Sequence, residues 1–290
     1  MKISRNSLNT LIAFMLLYFE NRKIILMRYL FILLLILPVF LISCNQNTFP
    51  KPVTQKANQD IIKLNDVFFE TEAAKRDSMS EGKKYNFRLD SLMSFWNKYE
   101  EKSEVFNIEN FREYWNNTHE RIMSVDVGIE TAKKWFKATG LLFELTGEAK
   151  YSEELERVIY TSFKRNLTEN EIEQIAKPYV FTKNVDHIHV NLFIPSEIKY
   201  NHSMGGKVKI WQETGYPESG SVLVKFSMTE KQYIELFVRI PSWAEDASVE
   251  VKGVKYFAPP GSYSKIAKKW KEGDVVEIKF PISEKPDYLR

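Results

Sequence analysis

Val185-Asp-His-Ile-His-Val-Asn-Leu-Phe-Ile-Pro-Ser-Glu-Ile-Lys-Tyr200 is the stretch at which the chain changes its hydrophobic periodicity. Before it, apolar residues recur at the three- and four-residue spacing of amphipathic helices. After it, they alternate with polar residues at every second position, as half-buried strands do. We therefore predict that residues 185–200 form the first long strand of a β-sandwich that is docked on a helical region.

The β half is predicted to extend from residue 185 to residue 290. Its strands are short, each has one apolar and one polar face, and turn signals such as Gly205-Gly206 and Pro259-Pro260-Gly261 separate them. Many short strands with this alternation are typical of an antiparallel sandwich. One apolar set is Val222, Val224, Phe226 and Met228, and another is Val276, Ile278, Phe280 and Ile282.

The helical half is predicted over residues 61–170. Its clearest unit is a pair of helices, Glu130 to Leu145 and Tyr151 to Phe163, joined at Thr146-Gly147. Glycine just beyond a last helical turn can adopt the left-handed conformation that ends a helix. Such hairpins are common in all-α barrels and bundles, so the fold class is α+β. Lys164 to Asn184 is polar, contains Pro178 and gives no clear element.

Charge and cysteine content exclude several classes of protein. The 290 residues carry a formal net charge of +3, but residues 1–44 hold five basic side chains and one acidic, which leaves −1 for the remainder. A near-neutral body lacks the basic patch of a nucleic-acid-binding protein, so we expect no nucleic acid partner. The single cysteine, Cys44, excludes an internal disulfide and any zinc site with two thiolates.

The N-terminus has the pattern of a secretory signal. Met27-Arg28-Tyr29 gives a basic start, and the apolar run from Leu30 to Leu41 has signal-peptide length. Leu41-Ile42-Ser43-Cys44 resembles the lipobox of bacterial lipoproteins. This resemblance implies cleavage before Cys44 and acylation of its thiol, and hence a lipid-anchored protein of the bacterial cell envelope, on the periplasmic or outer-membrane face.

Two further boundaries follow from that signal. Met27 heads a complete signal by itself, so we expect residues 1–26 to be an over-extended reading frame. Residues 45–60 are polar with Pro50 and Pro52, which is typical of a linker between a lipid anchor and a domain.

Several motifs in the β half occur in the order and spacing of one enzyme family. The four motifs are His189-Val-Asn-Leu-Phe-Ile-Pro-Ser-Glu197, Gln212-Glu-Thr-Gly-Tyr-Pro217, Arg239-Ile-Pro-Ser-Trp-Ala244 and Trp270-Lys-Glu-Gly-Asp-Val-Val-Glu277. They resemble the middle β-sandwich domain of glycoside hydrolase family 127, the β-L-arabinofuranosidases and their relatives.

Upstream, the helical hairpin resembles the one that closes the family's (α/α)6 catalytic barrel. The matching residues are Leu145-Thr-Gly-Glu-Ala-Lys-Tyr151 and Glu156-Arg-Val-Ile-Tyr160, with Tyr114-Trp-Asn-Asn117 as a further segment. A 12-helix barrel needs about twice the length available before Tyr179. The expectation is therefore a partial, α/α-barrel-like remnant.

The family's chemistry, as the resemblance implies it, uses a cysteine thiolate nucleophile on a zinc ion that three cysteines and one glutamate bind, with a second glutamate as acid/base. The family's Glu-Thr-Cys corresponds to Glu130-Thr131-Ala132, so Glu130 is a remnant ligand position and a methyl group replaces the thiol. Thr161 to His187 contains no cysteine, and Ile129 stands where the acid/base is expected. We therefore expect no zinc cofactor and no intact catalytic set.

Other groups of residues are candidates for a different catalytic or metal-binding site. The carboxylate pairs Asp126 with Glu130, Glu70 with Glu72 and Glu100 with Glu101 are explained by chance among 38 acidic residues. His187 and His189 point to one face of the predicted strand, with His202 after a turn, but an ordinary strand surface accounts for them. No Gly-x-Ser-x-Gly elbow supports serine catalysis.

Aromatic residues of the β half are the best candidates for contact with a sugar, because flat rings pack on sugar faces. Trp211 and Tyr216 are the candidates from this set, whereas core packing or domain docking is the expected role of Trp243 and Trp270. The predicted function is that of a lipid-anchored, catalytically incomplete relative of family 127 in plant-glycan metabolism. A membrane-anchored carbohydrate-binding sandwich and a non-functional gene fragment are the alternatives.

Overall fold

The computed structural model describes residues 50–56, 62–64 (backbone alone), 89–103, 105–123 and 127–290. The predicted signal, Cys44, Glu70, Glu72 and Asp126 lie outside these residues. Residues 50–290 form one compact unit. Within the described ranges, no helix is long and apolar enough to cross a membrane.

Five helices in the part of the chain that the structure describes precede most of the strands. They are α1 (Asp90–Glu100), α2 (Ile108–Met123), α3 (Ile129–Thr146), α4 (Ala149–Val158) and α5 (Glu169–Val180). After α4 the chain continues through a π-helical turn, Ile159–Phe163, and a last helical turn, Lys164–Asn166.

The helical hairpin predicted from the sequence is present as α3 and α4. Gly147 ends α3 with φ at 67°, and its N–H donates to the carbonyl of Phe143 over 2.8 Å. Glycine adopts this left-handed conformation without the steric cost that a Cβ brings. Trp135, Phe136, Leu142 and Phe143 bury the inner face of α3.

Helix α5 lies in the segment Lys164 to Asn184, for which no element is predicted from the sequence. Thr168 and Glu171 form a capping box at its start: Thr168 N–H donates to the Glu171 carboxylate over 2.9 Å, and Glu171 N–H donates to Thr168 Oγ1 over 3.4 Å. This reciprocal pairing satisfies two backbone N–H groups of the first turn. The helices therefore continue to Val180, and a strand starts at the next residue.

Twelve strands of the described residues form two sheets. The strands are β1 (Gln55–Lys56), β2 (Ile62–Leu64), β3 (Phe181–Asn184), β4 (His187–Val190), β5 (Ser196–Asn201), β6 (Lys207–Thr214), β7 (Ser221–Met228), β8 (Gln232–Ile240), β9 (Ser248–Val251), β10 (Val254–Tyr256), β11 (Ser262–Trp270) and β12 (Val275–Lys279). One sheet has the order β1-β3-β4-β8-β11, and the other has the order β10-β9-β12-β7-β6-β5-β2. The fold class α+β is confirmed.

The two sheets contact each other through apolar side chains. Phe226 of β7 stacks on Trp270 of β11 with ring centroids 4.0 Å apart, and the Trp270 indole N–H donates to the carbonyl of Ile234. The alternation predicted for β7 is present, since Val222, Val224, Phe226 and Met228 are all buried. All pairings in both sheets are antiparallel except β4 with β8, which is parallel.

The prediction of one long strand over residues 185–200 was wrong. A two-residue turn at Val185-Asp186 joins β3 to β4, and the chain then leaves the first sheet at Asn191 and enters the second as β5. Pro195 lacks the N–H that a continuous ladder requires, and the amide of Asn191 makes buried hydrogen bonds instead. The stretch therefore connects the two sheets and belongs to both.

The predicted linker, residues 45–60, is described in part. Within it, Gln55–Lys56 pair with β3 as an edge strand, and Thr54 is fully buried. Val53 N–H and Thr54 N–H both donate to the carbonyl of Glu144, which attaches this segment to α3.

Candidate functional site

A buried polar cluster joins the helices to the sandwich. Arg239 on β8 donates through Nη2 to Glu156 on α4 over 2.5 Å and through Nε to the carbonyl of Asn191 over 2.5 Å. The hydroxyl of Tyr216 donates to the second oxygen of Glu156 over 3.1 Å, and the hydroxyl of Tyr263 donates to Asn191 Oδ1 over 2.8 Å. We call these five residues the junction cluster.

Burial determines the ionisation behaviour of the junction cluster. It raises the pKa of Glu156, while the neighbouring Arg239 acts in the opposite direction. The carboxylate of Glu156 raises the pKa of Arg239 against the effect of burial, so the guanidinium stays charged. A buried charge is tolerated when it is paired and hydrogen-bonded, so this cluster is best explained as the attachment between the two halves.

A cleft of about 350 Å³ opens beside the junction cluster, between the helices and the loops of the sandwich. Its helical wall includes Trp115 and His119 of α2 and Arg157 of α4, and its sandwich wall includes Ser242 and Tyr288. Trp115, His119 and Trp135 stack on one another with nearly parallel rings: the centroid of Trp115 lies 4.7 Å from that of His119 and 5.0 Å from that of Trp135, and the last two lie 6.1 Å apart.

Glu154 organises the helical wall of the cleft. Its buried carboxylate accepts hydrogen bonds from Arg157 Nε over 2.7 Å, from Arg157 Nη2 over 2.5 Å, from the Trp135 indole N–H and from His119 Nε2 over 3.3 Å. Although burial acts to raise the pKa of Glu154, the hydrogen bonds from Arg157 and His119 hold it below its usual range. Glu154 is therefore ionised and fixes the positions of Arg157 and His119.

The neighbouring carboxylate, Glu153, connects α4 to the sandwich. It accepts from Ser242 N–H over 3.0 Å and from the Ser242 hydroxyl over 2.7 Å. A glycosidase acid needs a carboxyl whose pKa is raised so that it can hold a proton at neutral pH. Glu154 has the opposite shift, and Glu153 accepts both of its hydrogen bonds from Ser242.

His119, Glu154 and Arg157 were not predicted as site residues from the sequence. The available signals were local: Trp115 and His119 are four residues apart on α2, and Glu154 and Arg157 are three apart on α4, spacings that place side chains on the same helix face. No sequence pattern indicates that these two faces meet at the loop that carries Ser242.

Glu130 and Ala132, the two positions that the resemblance relates to zinc ligands, lie in surroundings that do not fit a zinc ion. Glu130 projects into solvent with 76% of its side chain exposed and pairs with Lys133 over 3.4 Å, whereas Ala132 is fully buried and has no donor atom. Among the residues that the structure describes, no three His, Cys, Asp or Glu side chains group closely enough to hold a metal ion.

The histidines of the opening stretch have separate environments. His187 is half exposed and lies 3.3 Å from Glu235, whereas His189 is buried, stacks on Phe237 with a centroid distance of 4.5 Å and contacts Thr54. His202 Nδ1 accepts from Met204 N–H over 3.1 Å, and its Nε2 donates to the carbonyl of Tyr233 over 2.9 Å.

The two candidate sugar-contact residues also differ. Trp211 is partly exposed on β6, its indole N–H donates to Glu213 over 3.0 Å, and Lys209 Nζ lies 5.1 Å from its ring centroid. Tyr216 is only 6% exposed and belongs to the junction cluster. In this structure Tyr216 therefore presents no open ring face, and Trp211 remains the candidate for a surface contact.

The fold and the junction define an α+β protein in which a two-sheet sandwich packs against a helical hairpin. Residues 187–282 match the family model described as beta-L-arabinofuranosidase, GH127 middle domain. The resemblance to glycoside hydrolase family 127 is therefore confirmed over the sandwich. No curated protein gives a match to the sequence.

Three solved structures are similar to 52% of the chain. A glycoside hydrolase has a TM-score of 0.46 at 23% identity, with 32% of its own chain covered. The GH127 β-L-arabinofuranosidase from Geobacillus stearothermophilus T6 has a TM-score of 0.45 at 23% identity, and a GH127 β-arabinofuranosidase has 0.43 at 26%, each with 31% of its chain covered. The matched region thus spans about a third of the length of these enzymes.

Proposed function

We propose that the protein is a lipid-anchored relative of family 127 that binds glycans of plant type and does not hydrolyse them by the family's zinc-thiolate mechanism. The observation that carries the proposal is the environment of Ala132: a fully buried methyl group stands at a position where the resemblance implies a thiolate. The exposure of Glu130 further supports it, because that carboxylate pairs with Lys133 at the surface.

The hydrolysis test uses the full chain and a chromogenic β-L-arabinofuranoside, with added zinc and with a chelator. We expect no turnover above that of heat-inactivated protein under either condition. The matched variant Glu130→Gln should behave as the parent does, since an exposed carboxylate has no metal to hold. Hydrolysis that a chelator abolishes and that Glu130→Gln reduces would overturn the proposal.

The anchor is proposed from Leu41-Ile42-Ser43-Cys44 and the preceding apolar run. Acyl chains each add about 0.8 kcal/mol per buried methylene, so two or more would hold the protein at a membrane surface. Metabolic labelling with an alkyne fatty acid should mark the full chain and not Cys44→Ser, and fractionation should recover the labelled form in membranes. Equal labelling of both forms would contradict the anchor.

A second candidate function is binding of a sugar on the outer surface of the sandwich. The observation that favours it is the partly exposed ring of Trp211, flanked by Lys209 and Glu213. An aromatic face with polar groups at its rim is a common way to contact a sugar ring. Loss of glycan binding in Trp211→Ala would assign the function to this surface.

A further inference from the structure

One end of the sandwich exposes a group of apolar side chains. At the end where β4 and β8 begin, Val185 is 61% exposed, Met204 84% and Tyr233 49%. The three residues line a common hollow of about 250 Å³. Single exposed apolar residues are ordinary, but a contiguous group with a polar rim is typical of a surface that contacts a protein or a membrane. We call these three residues the apolar tip.

The polar groups beside the apolar tip are used by the fold itself. The carboxylate of Asp186 accepts from the backbone N–H of Ser203 over 3.3 Å and from the hydroxyl of the same residue. The ring of His202 accepts from Met204 N–H and donates to the carbonyl of Tyr233. These contacts hold the loops against one another, so the apolar tip is preformed and its polar groups are directed inward.

Val185 has a backbone conformation that suits another residue type. Its φ is 54°, in the left-handed region, where a β-branched side chain is strained. Hairpin turns with a positive φ at this position normally have glycine there. Strained residues of this kind cluster at sites that serve function. The turn thus exposes an apolar side chain at a cost to stability.

The N-terminal segment enters the domain at the same end. Gln55 pairs with Lys183 in the antiparallel ladder of β1 and β3, so the residues before Gln55 lie towards Val185. The side-chain amide of Asn184 donates to the carbonyl of Val53 over 3.2 Å, which fixes this segment next to the turn of the apolar tip.

The entry segment is short and firmly attached. Val53 N–H and Thr54 N–H donate to the carbonyl of Glu144, and Thr54 is fully buried, so the entry point cannot swing away from the domain. Cys44, the proposed acylation site, is nine residues before Val53. Nine extended residues span at most about 30 Å, so a domain anchored at Cys44 keeps this end near the membrane surface.

The rim of the apolar tip is mainly basic. Lys207 and Lys231 are exposed in the loops that carry Met204 and precede Tyr233, Lys51 is exposed in the entry segment, and Glu230 is the exposed acidic residue of residues 202–207 and 229–233. Basic side chains near a bilayer are attracted to anionic lipid headgroups. An apolar centre with a basic rim is therefore complementary to an anionic lipid surface.

We infer that the apolar tip lies on the bilayer surface, with Val185, Met204 and Tyr233 in contact with lipid. This inference rests on the proposed lipid anchor and adds an orientation to it. Arg239 of the junction cluster is six residues beyond Tyr233 on β8, about 20 Å at 3.3 Å per residue. The end of the sandwich that adjoins the helices is thereby held away from the membrane.

The test uses the full chain, acylated at Cys44 and reconstituted in vesicles of phosphatidylethanolamine and phosphatidylglycerol. Met204→Cys is labelled with a polarity-sensitive fluorophore, since acylation occupies the single natural thiol. In the vesicles we expect the emission of this label to shift to shorter wavelength and to rise about twofold or more, with protection from iodide quenching, as for a group in the apolar interface.

Phe257→Cys is the matched control. Phe257 is 87% exposed, and the carbonyl of the preceding residue, Tyr256, accepts from Ser264, which pairs with Val238 towards the far end of β8. The label at residue 257 should keep its aqueous emission and its iodide quenching in the same vesicles.

Val185→Asn gives a second measurement, because asparagine tolerates the left-handed conformation and is polar. In the labelled Met204→Cys protein it should reduce the emission shift by about half or more, while the melting temperature stays equal or rises because the strain is relieved. A Val185 side chain that serves the fold alone predicts an unchanged emission shift.

The outcomes for the apolar tip and for the anchor are distinguishable. Labelled protein that floats with the vesicles while residue 204 stays as accessible to iodide as residue 257 would overturn the inference and retain the anchor. A shift that occurs only in native membranes, or only at high protein density, would assign the tip to a membrane protein or to a second copy and also overturn it. Absence of fatty-acid labelling and of flotation would overturn the anchor and the inference together.

Discussion

Arg239 and Glu156 form an ion pair over 2.5 Å across the junction between the sandwich and the helices, and both side chains are shielded from solvent. The two residues are 83 positions apart in the chain. Their partners Tyr216 and Asn191 come from two further segments, so four separate parts of the sequence converge on one buried cluster.

Removal of one member of this pair should be strongly destabilising. Arg239→Met leaves the carboxylate of Glu156 buried without its counter-charge, and such losses cost about 3–5 kcal/mol in the free energy of unfolding. Urea unfolding monitored by circular dichroism is the measurement. The double variant Arg239→Met with Glu156→Met should recover a large part of the loss, since neither charge is then buried.

The surface pair of Glu130 with Lys133 is the control for this experiment. Exposed pairs contribute about 0–1 kcal/mol, so Glu130→Gln should unfold nearly at the parent's urea concentration. If Arg239→Met were equally mild, the junction cluster would not be the attachment between the two halves.

A second prediction concerns pH. Burial, with a smaller contribution from the charge of His187, lowers the pKa of His189 from 6.5 to about 4. The ring is packed against Phe237 and Tyr263 and contacts Thr54. Because the folded-state pKa lies below the unfolded value, the unfolded chain takes up the proton first as the pH falls. Stability is therefore complete above about pH 6.5 and falls between there and about pH 4.

The size of this effect can be bounded. One pKa unit corresponds to about 1.36 kcal/mol, so the contribution of His189 is up to about 3 kcal/mol. Urea unfolding at a series of pH values gives the free energy of unfolding as a function of pH. In this window that free energy should change less steeply with pH for His189→Gln than for the parent. The matched variant is His187→Gln on the same strand, which removes only the smaller contribution to the pKa shift of His189 and should retain most of the parent's slope. An unchanged slope in His189→Gln would contradict the assignment.

The parts of this fold that could be predicted are those with a sequence pattern that extends over a few neighbouring residues. The strands after residue 205 and the hairpin of α3 with α4 follow from hydrophobic periodicity and from Gly147, signals that act within a few residues. Helix α5 was not predicted, because its capping pair, Thr168 and Glu171, lies in a polar segment with little apolar periodicity.

Tertiary relationships explain the parts that it could not. The alternation of apolar and polar residues continues across Asn191–Pro195, so it predicts one strand over residues 185–200. In the structure, β4 belongs to one sheet and β5 to the other. The motifs containing Glu156, Asn191 and Arg239 were each visible, but periodicity does not report that they meet. The cleft was not predicted for the same reason: Trp115, Glu154 and Tyr288 belong to three distant segments, and periodicity does not report that these segments meet.

A third prediction concerns Gly140 in the interior of α3. Alanine normally stabilises a helix relative to glycine by about 0.8–1.0 kcal/mol. Here a Cβ would lie 2.3 Å from the hydroxyl oxygen of Tyr179, which donates to Glu144 over 3.1 Å and is held in the core. Gly140→Ala should therefore destabilise the protein by about 1–3 kcal/mol, as overpacking does. Thermal unfolding of Gly140→Ala is compared with that of the double variant Gly140→Ala with Tyr179→Phe. If the clash with the Tyr179 hydroxyl causes the loss, the double variant should recover part of the stability.

The last prediction separates the two aromatic residues that the sequence singled out. Tyr216→Phe removes a hydrogen bond to buried Glu156, which should cost about 1–3 kcal/mol in the free energy of unfolding and leave glycan binding by the folded protein unchanged. Trp211→Ala should change stability little, because the ring is partly exposed at the sheet surface. Urea unfolding and disaccharide titration of both variants give the comparison. Loss of glycan binding in fully folded Tyr216→Phe would place the sugar against the junction cluster and contradict its purely structural role.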